Sequence, residues 1–213
     1  MDFNYFRIHT KRHGLSKTVF RYMYGLINKL IFLKIFHCIA IHSNKFKNKH
    51  YEFNSQFQLT ILDNSFWDRS WNLDEYGLDK NFLDKAKSKN YVCLGFLDKG
   101  KIASYTWYAT ETDDLYGGNL KVKFSDEFVL ATRTYTHLDY RGKRLHALGI
   151  AQGLKLLSGR KYKGIVGIVE AINFSSLKGI FHFGGEEVGK FFCVKIRGKY
   201  LIFSIGNTRK YGL

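Results

Sequence analysis

The 213-residue chain has no proline, only three cysteines, and 18 acidic residues against 34 lysines and arginines. The missing proline accompanies an abundance of Lys, Asn, Phe and Tyr; it reflects coding composition and carries no functional weight. Cys38, Cys93 and Cys193 lie far apart, without a CxxC pair or a companion His spacing. That pattern argues against a zinc site and for a reducing, cytoplasmic compartment. No GxxxxGK[ST] occurs, and no GxGxxG follows a first strand, which excludes a P-loop nucleotidase and a dinucleotide-binding fold. No nucleic-acid-binding signature is present either, so nucleic acid is not the expected partner. The longest apolar stretch, Ser16 to Ser43, is interrupted by Arg21, Lys29 and Lys34. It therefore fits neither a secretory signal nor a spanning helix.

What remains is a chain with a substantial core. Hydrophobic residues make up 45% and aromatics 17%, enough for one well-filled domain and too many for disorder. The formal charge of +16 calls for an anionic partner: a phosphorylated cofactor, a nucleic acid or an acidic membrane face. The charge is uneven. Ten Lys and Arg against Asp2 place +9 of it in the first 50 residues.

Residues 1–50 read as a basic, amphipathic helical extension followed by a solvated linker, "HSNKFKNKH". The helix docks on its own domain or a second protomer, with its lysines reaching outward. The sharper alternative is a peripheral helix on anionic lipid at the inner face of the membrane.

Residues 51–213 alternate between periods. "FQLTILD" is a strand and "LDKNFLDKAKSKN" a helix. "YVCLGFLDKGKIASYTWYATE" is a hairpin turning at "DKGK", and "YGGN" (116–119) is another turn. "EFVLATRTYTHL" is a strand, followed by the helix "RLHALGIAQGLKLLSG" closing at Gly159. The strand "KGIVGIVEAIN" and the helix "SSLKGIFHF", capped by Asn173 or Ser175, come next. Two antiparallel strands around "RGK" finish the chain. This order predicts a mixed α/β domain with one central strand-to-helix crossover.

The crossover carries the chemistry. In "THLDYRGKRLHALGIAQGLKLL" a strand enters a helix whose unpaired N–H groups and partial positive charge suit a phosphate. Gly142 frees the backbone to approach a ligand, and Arg141, Lys143 and Arg144 attract a polyanion. The bland alternative is a basic helix start on a solvated surface.

This stretch resembles the coenzyme A-binding segment of the GNAT superfamily of acyl-CoA-dependent N-acyltransferases: a strand, Arg/Gln-x-x-Gly-x-Gly/Ala, then a helix. "VEAINFSSLKGIFHFGGEEVG" resembles the superfamily's later strand, Asn-x-x-Ser/Ala and short helix. The likeness spans about Gln56 to Ser204. It implies a central mixed, mostly antiparallel sheet flanked by helices, with acetyl-CoA as donor and an amine as acceptor. It also implies that the backbone of Gly142, Lys143, Arg144, Leu145 and His146 holds the pyrophosphate beside Arg141. Tyr135 and Thr136 would pair with the pantetheine arm, and Asn173 and Ser176 would lie beside it. Arg144 and His146 depart from the pattern, standing where small residues are usual. The tyrosine that often serves as general acid would fall near Ile180, and is absent.

Acyl transfer to an amine needs a group to take the amine's proton. The strand positions that often supply it fall at Leu130 and Thr132, which do not titrate. The nearest candidates are Glu127, His137 and Glu170, and Glu170 is preferred because it stands late on the strand bordering the cleft. Tyr105, Trp107 and Tyr108 alternate faces, with core on one side and an acceptor pocket as the option for the other. The acceptor expected is a small-molecule amine or an amino sugar of surface-glycan metabolism. Alternatives are a long-chain acyl donor, a protein amine, or a non-catalytic basic module for membrane or nucleic acid.

Overall fold

The computed structural model describes residues 3–44, 56–68, 73–115, 120–158 and 162–213. Most of the expected basic linker, the turn at 116–119 and the helix stop at Gly159 lie outside the described residues.

Two helices open the chain, α1 (Phe3–His13) and α2 (Leu15–Leu30), separated by Gly14 at φ 91°. The chain then turns extended at Ile31 and forms β1 (Phe32–His42). After β2 (Gln58–Ile61) come α3 (Asn64–Trp67), α4 (Lys80–Ser88), and the hairpin β3 (Val92–Asp98) and β4 (Lys101–Ala109). A small ribbon, β5 (Asp113–Leu115) with β6 (Leu120–Val122), precedes β7 (Phe128–Thr136). Then follow α5 (Leu145–Ser158), β8 (Gly164–Glu170), α6 (Phe174–His182), β9 (Glu186–Ile196) and β10 (Lys199–Gly206).

Eight strands form one sheet in the order β10-β9-β1-β8-β7-β4-β3-β2. Among the paired neighbours only β7 and β8 run parallel, joined by the crossover helix α5; every other neighbouring pair of the sheet is antiparallel. The architecture is the mixed, mostly antiparallel α/β sheet expected.

One expectation is corrected. Residues 32–42 belong to a central strand, not to a basic helix outside the domain. On β1 alternate side chains enter opposite cores: Cys38 and Ala40 pack with Trp107, Leu130 and Val166, while Ile39 and Ile41 pack with Val129, Ile150 and Ile165. A strand buried on both faces shows an unbroken apolar run, which periodicity alone does not separate from a buried helix. The basic helical extension therefore ends at Leu30. No helix among the described residues is long and apolar enough to cross a membrane.

Helix α5 covers one face of β3, β4, β7 and β8. It comes close because it has glycine where it crosses β4. The Tyr108 hydroxyl donates to the Gly149 carbonyl at 2.9 Å, and a Cβ at Gly153 would stand 2.3 Å from the Tyr108 oxygen. Gly153→Ala is therefore expected to destabilise the fold by about 1–3 kcal/mol through overpacking, despite a helix-propensity gain of up to ~1 kcal/mol. A denaturant midpoint equal to wild type would show that α5 does not lean on Tyr108. On the opposite face Phe66, Trp67 and Phe82 pack against Tyr105 and Trp107. All three hairpin aromatics, Tyr105, Trp107 and Tyr108, are thus core residues, and none lines an acceptor pocket.

Candidate functional site

Strands β7 and β8 pair only from Phe128–Gly164 to Ala131–Gly167, yet β7 runs on to Thr136 and β8 to Glu170. Past Ala131 they splay. The gap opens at the start of α5, so a strand edge without a β8 partner meets unpaired helical N–H groups. Along this edge the Tyr135 carbonyl accepts the Ser104 hydroxyl at 2.6 Å, and His137 N–H bonds to Ala103. Main-chain groups of 135 and 137 thus turn to β4. By alternation those of Thr134 and Thr136 turn into the gap.

Between β7 and α5 the chain makes a 3-10 turn at Leu138–Tyr140, where the His137 ring accepts the Asp139 N–H at 3.3 Å. It then passes through positive φ twice, at Gly142 (85°) and at Arg144 (61°). Arg144 stands where the resembling segment usually has glycine, and it keeps the left-handed backbone at the cost of steric crowding. Within the turn the Arg141 and Lys143 N–H groups donate to the Leu138 and Tyr140 carbonyls at 3.2 and 3.3 Å, so the donors left for an anion are those of the helix start that follows Arg144.

A cleft of about 440 Å³ lies there, bordered by Tyr135, Thr136, Arg141, Gly142, Arg144, Leu145, His146, Asn173 and Ser176. Nine of the ten residues expected around the cofactor are thus together. The exception is Lys143. Its ammonium stands 5.5 Å from the Phe57 ring centre and 5.2 Å from that of Tyr140, and the side chain does not border the cleft. Tyr135 borders it with its ring committed elsewhere, stacked on Tyr105 at 5.6 Å with its hydroxyl on the Glu75 carbonyl at 2.7 Å. Asn173 caps α6 through the Ser176 N–H at 3.2 Å. The residues that sequence reasoning missed are Thr134, Tyr140, Ser175 and, from α1, Arg12. No local pattern marks Arg12, because only the docking of α1 brings it here.

Arg144→Gly is expected to relieve the strained backbone while removing a guanidinium from the cleft. Anion affinity should fall about tenfold, as for loss of one charged hydrogen bond, with an equal or higher melting temperature. Unchanged binding of a pyrophosphate ligand by calorimetry would show that the Arg144 side chain points elsewhere.

A second cavity, of about 260 Å³, continues from the cleft between the splayed strands. Its walls include Ile39, Ile165 and Ile180, and its polar groups include Thr132, Thr134, Glu170, Asn173 and Ser176. His146 borders both spaces, and burial pushes its pKa down to about 4, so the ring at the junction is neutral near pH 7.

Of the three titratable candidates, only Glu170 borders this cavity. Its Oε1 accepts Lys34 Nζ at 2.7 Å and the Tyr24 hydroxyl at 3.0 Å. Glu127 pairs with Lys163 at the far end of β7. His137 serves the 3-10 turn and lies 3.5 Å from Glu75. Thr132, which does not titrate, donates its hydroxyl to the fully buried Asp113, whose other oxygen takes Lys85 at 2.6 Å and Tyr91 at 2.8 Å. No grouping of His, Cys, Asp and Glu among the described residues would hold a metal, and all three cysteines are buried and unbridged.

No protein-family model and no curated protein matches the sequence. Solved structures do match in three dimensions. A GCN5-related N-acetyltransferase from Sphaerobacter thermophilus superposes with TM-score 0.53 at 8% identity, over 83% of this chain and 52% of that one. The chain has the GCN5-related N-acetyltransferase fold. A tandem GNAT protein from the clavulanic acid biosynthesis pathway gives 0.52 at 9% identity, over 82% of this chain and 54% of its own. A GNAT-family acetyltransferase from Colwellia psychrerythraea gives 0.51 at 12%, over 77% and 56%. The chain thus spans little more than half the length of these three GNAT structures.

Proposed function

We propose that the protein is an N-acyltransferase moving an acyl group, acetyl foremost, from acyl-CoA to a primary amine. The observation that carries this is the cleft where β7 and β8 part. There an unpaired strand edge, a doubly left-handed turn and a helix start converge with Arg12, Arg141 and Arg144.

The residues fit such a donor. Thr134 and Thr136 offer main-chain partners to an amide-bearing arm. The loop from Gly142 to His146, with the arginines, suits a pyrophosphate. Bound acyl-CoA supplies an activated thioester carbonyl. The chain's own contribution is to hold that carbonyl at the mouth of the second cavity, exclude water with Ile39, Ile165 and Ile180, and orient the amine. Glu170 is the proposed acceptor of the amine's proton.

The acceptor proposed is a small-molecule amine or amino sugar of surface-glycan metabolism; the volume of the second cavity, about 260 Å³, supports the small size of the group it takes. Calorimetric titration with acetyl-CoA, with ATP and a short DNA duplex as controls, tests the donor. Selective binding near −8 kcal/mol, a micromolar Kd, is expected. Absence of acetyl-CoA binding together with salt-sensitive duplex binding would leave the fold without the activity.

The location proposed is a peripheral one, and α2 supports it. Leu15, Val19, Met23, Leu26 and Leu30 recur at helical spacing and are all about half exposed or more. Residues 3–30 carry six Lys and Arg and no acid. Such a face suits an anionic lipid surface at the cytoplasmic side. Co-sedimentation with vesicles containing phosphatidylserine is expected, and Met23→Glu with Leu26→Glu should abolish it. Equal sedimentation of that variant would retire the contact.

A further inference from the structure

A third cavity, of about 430 Å³, lies between α1, α2 and the start of α6. Its polar wall is built from His9, Arg12, His13 and Arg21, and it adjoins the acceptor cavity through Glu170 and Asn173. The charges facing this space come from every element around it. Helix α1 supplies His9, Arg12 and His13; α2 supplies Arg21, with Lys17 stacked 5.6 Å over the Phe174 ring; the end of β8 supplies Glu170. Glu170 is the sole acid among them, and Lys34 already neutralises it at 2.7 Å. Two arginines and two imidazoles therefore converge without a carboxylate of their own among the described residues.

The arrangement is held in place. Arg21 donates to the Ile172 carbonyl at 3.1 Å and His9 bonds to the Thr18 hydroxyl at 2.9 Å. The His9 and His13 rings lie 5.9 and 5.6 Å from the Phe174 ring. Pre-set cations of this kind raise each other's energy until an anion arrives. The imidazoles register that imbalance. Burial, then Arg21 and Arg12, lower the pKa of His9; burial, then His9, Arg12, Lys17 and Arg21, lower that of His13.

We infer that this pocket receives a phosphate monoester carried by the acceptor, so that the amine substrate is a phosphorylated one. The inference rests on the acyltransferase reading. A ligand spanning the two cavities would place its phosphate between Arg21 and His13 and its amine beside Glu170, with Arg12, which also borders the donor's cleft, standing between the two phosphate sites. Arginine forks match phosphate oxygens, and each imidazole gains a proton more readily once the anion is bound. Once phosphate's own second ionisation in the same range is allowed for, affinity should therefore rise as pH falls from 7.5 to 6.

The shared chemistry, a phosphate monoester, also occurs on the donor as the 3′-phosphate of coenzyme A, and the experiment separates the two. Full-length protein is titrated with inorganic phosphate, alone and saturated with coenzyme A, and then with coenzyme A and dephospho-coenzyme A. Phosphate is expected to bind the coenzyme A-saturated protein and to raise the His13 pKa in its NMR titration. Arg21→Gln should weaken phosphate about tenfold without changing coenzyme A affinity, and Arg21→Lys should restore most of it. His13→Gln, which leaves the Arg21 contact to Ile172 intact, should reduce the pH dependence, with His9 and the phosphate itself supplying what remains. Failure of phosphate to bind the saturated protein overturns the inference. So does a tenfold loss of coenzyme A affinity in Arg21→Gln that dephospho-coenzyme A does not share, because the pocket would then serve the donor. If coenzyme A itself does not bind, the acyltransferase reading fails, while phosphate binding to the free protein still reports on the pocket.

Discussion

Gly142→Val is expected to lower coenzyme A affinity at least about 100-fold, or roughly 2.7 kcal/mol, in a protein that still folds. Gly142 has φ 85°, and a Cβ built on it meets nothing within 4 Å. The change thus costs no packing. The penalty comes from the backbone: a β-branched residue is excluded from this region, and by about 1–2 kcal/mol or more the loop prefers to flip. Flipping turns the N–H groups away from the anion, and those charge-assisted bonds are lost as well. Far-UV circular dichroism should stay unchanged, because Gly142 is exposed and packs against nothing. Wild-type affinity in a folded Gly142→Val protein would remove the pyrophosphate from this loop.

Glu170→Gln is expected to cut kcat about 100-fold, within the usual reach of general-base catalysis, and to leave coenzyme A affinity within about twofold. The amide keeps the shape and can still accept from Tyr24, but it takes no proton. It also leaves Lys34 without its counter-charge, which lowers stability. The pH profile separates the two effects. A lost base removes the limb on which rate rises with pH, whereas a merely loosened site keeps that limb and slows uniformly. Glu170 would be falsified as the base by a variant with the wild-type profile and rate.

Much of the body was legible because its signals are local. Asn173, one of the two cap candidates, caps α6 by accepting the Ser176 N–H group, as its place before an apolar helical run implies. The "DKGK" hairpin and the "RGK" hairpin have positive φ at Lys99, Gly100, Arg197 and Gly198, the geometry that short tight turns demand. The loop proposed to hold the donor's pyrophosphate was legible for the same reason. Glycine and cations between a strand and a helix state their chemistry within eight residues.

Side-chain direction was not legible. Lys143 lies between Gly142 and Arg144, yet it stacks on Phe57 and Tyr140, because two left-handed residues rotate their neighbour out of the cleft. Glu170 was chosen for its position on β8, and the structure sets it at the cavity, but its pairing with Lys34 and Tyr24 depends on contacts more than 130 residues apart in the chain.

The sequence by itself determined the α/β class, the parallel crossover from β7 through α5 to β8, and the anion-attracting turn at Gly142. Each depends on periodicity, capping and turn chemistry within a few residues. Only the tertiary structure decided that residues 32–42 form a strand between β8 and β9, with β10 at the sheet edge. It alone brought Arg12 to the cleft at the start of α5 and gathered the N-terminal cations beside Glu170. An apolar run buried on both sides reads alike as helix or strand, and the choice falls to whichever partners offer free backbone groups. Here those partners are β8 and β9, more than 120 residues away.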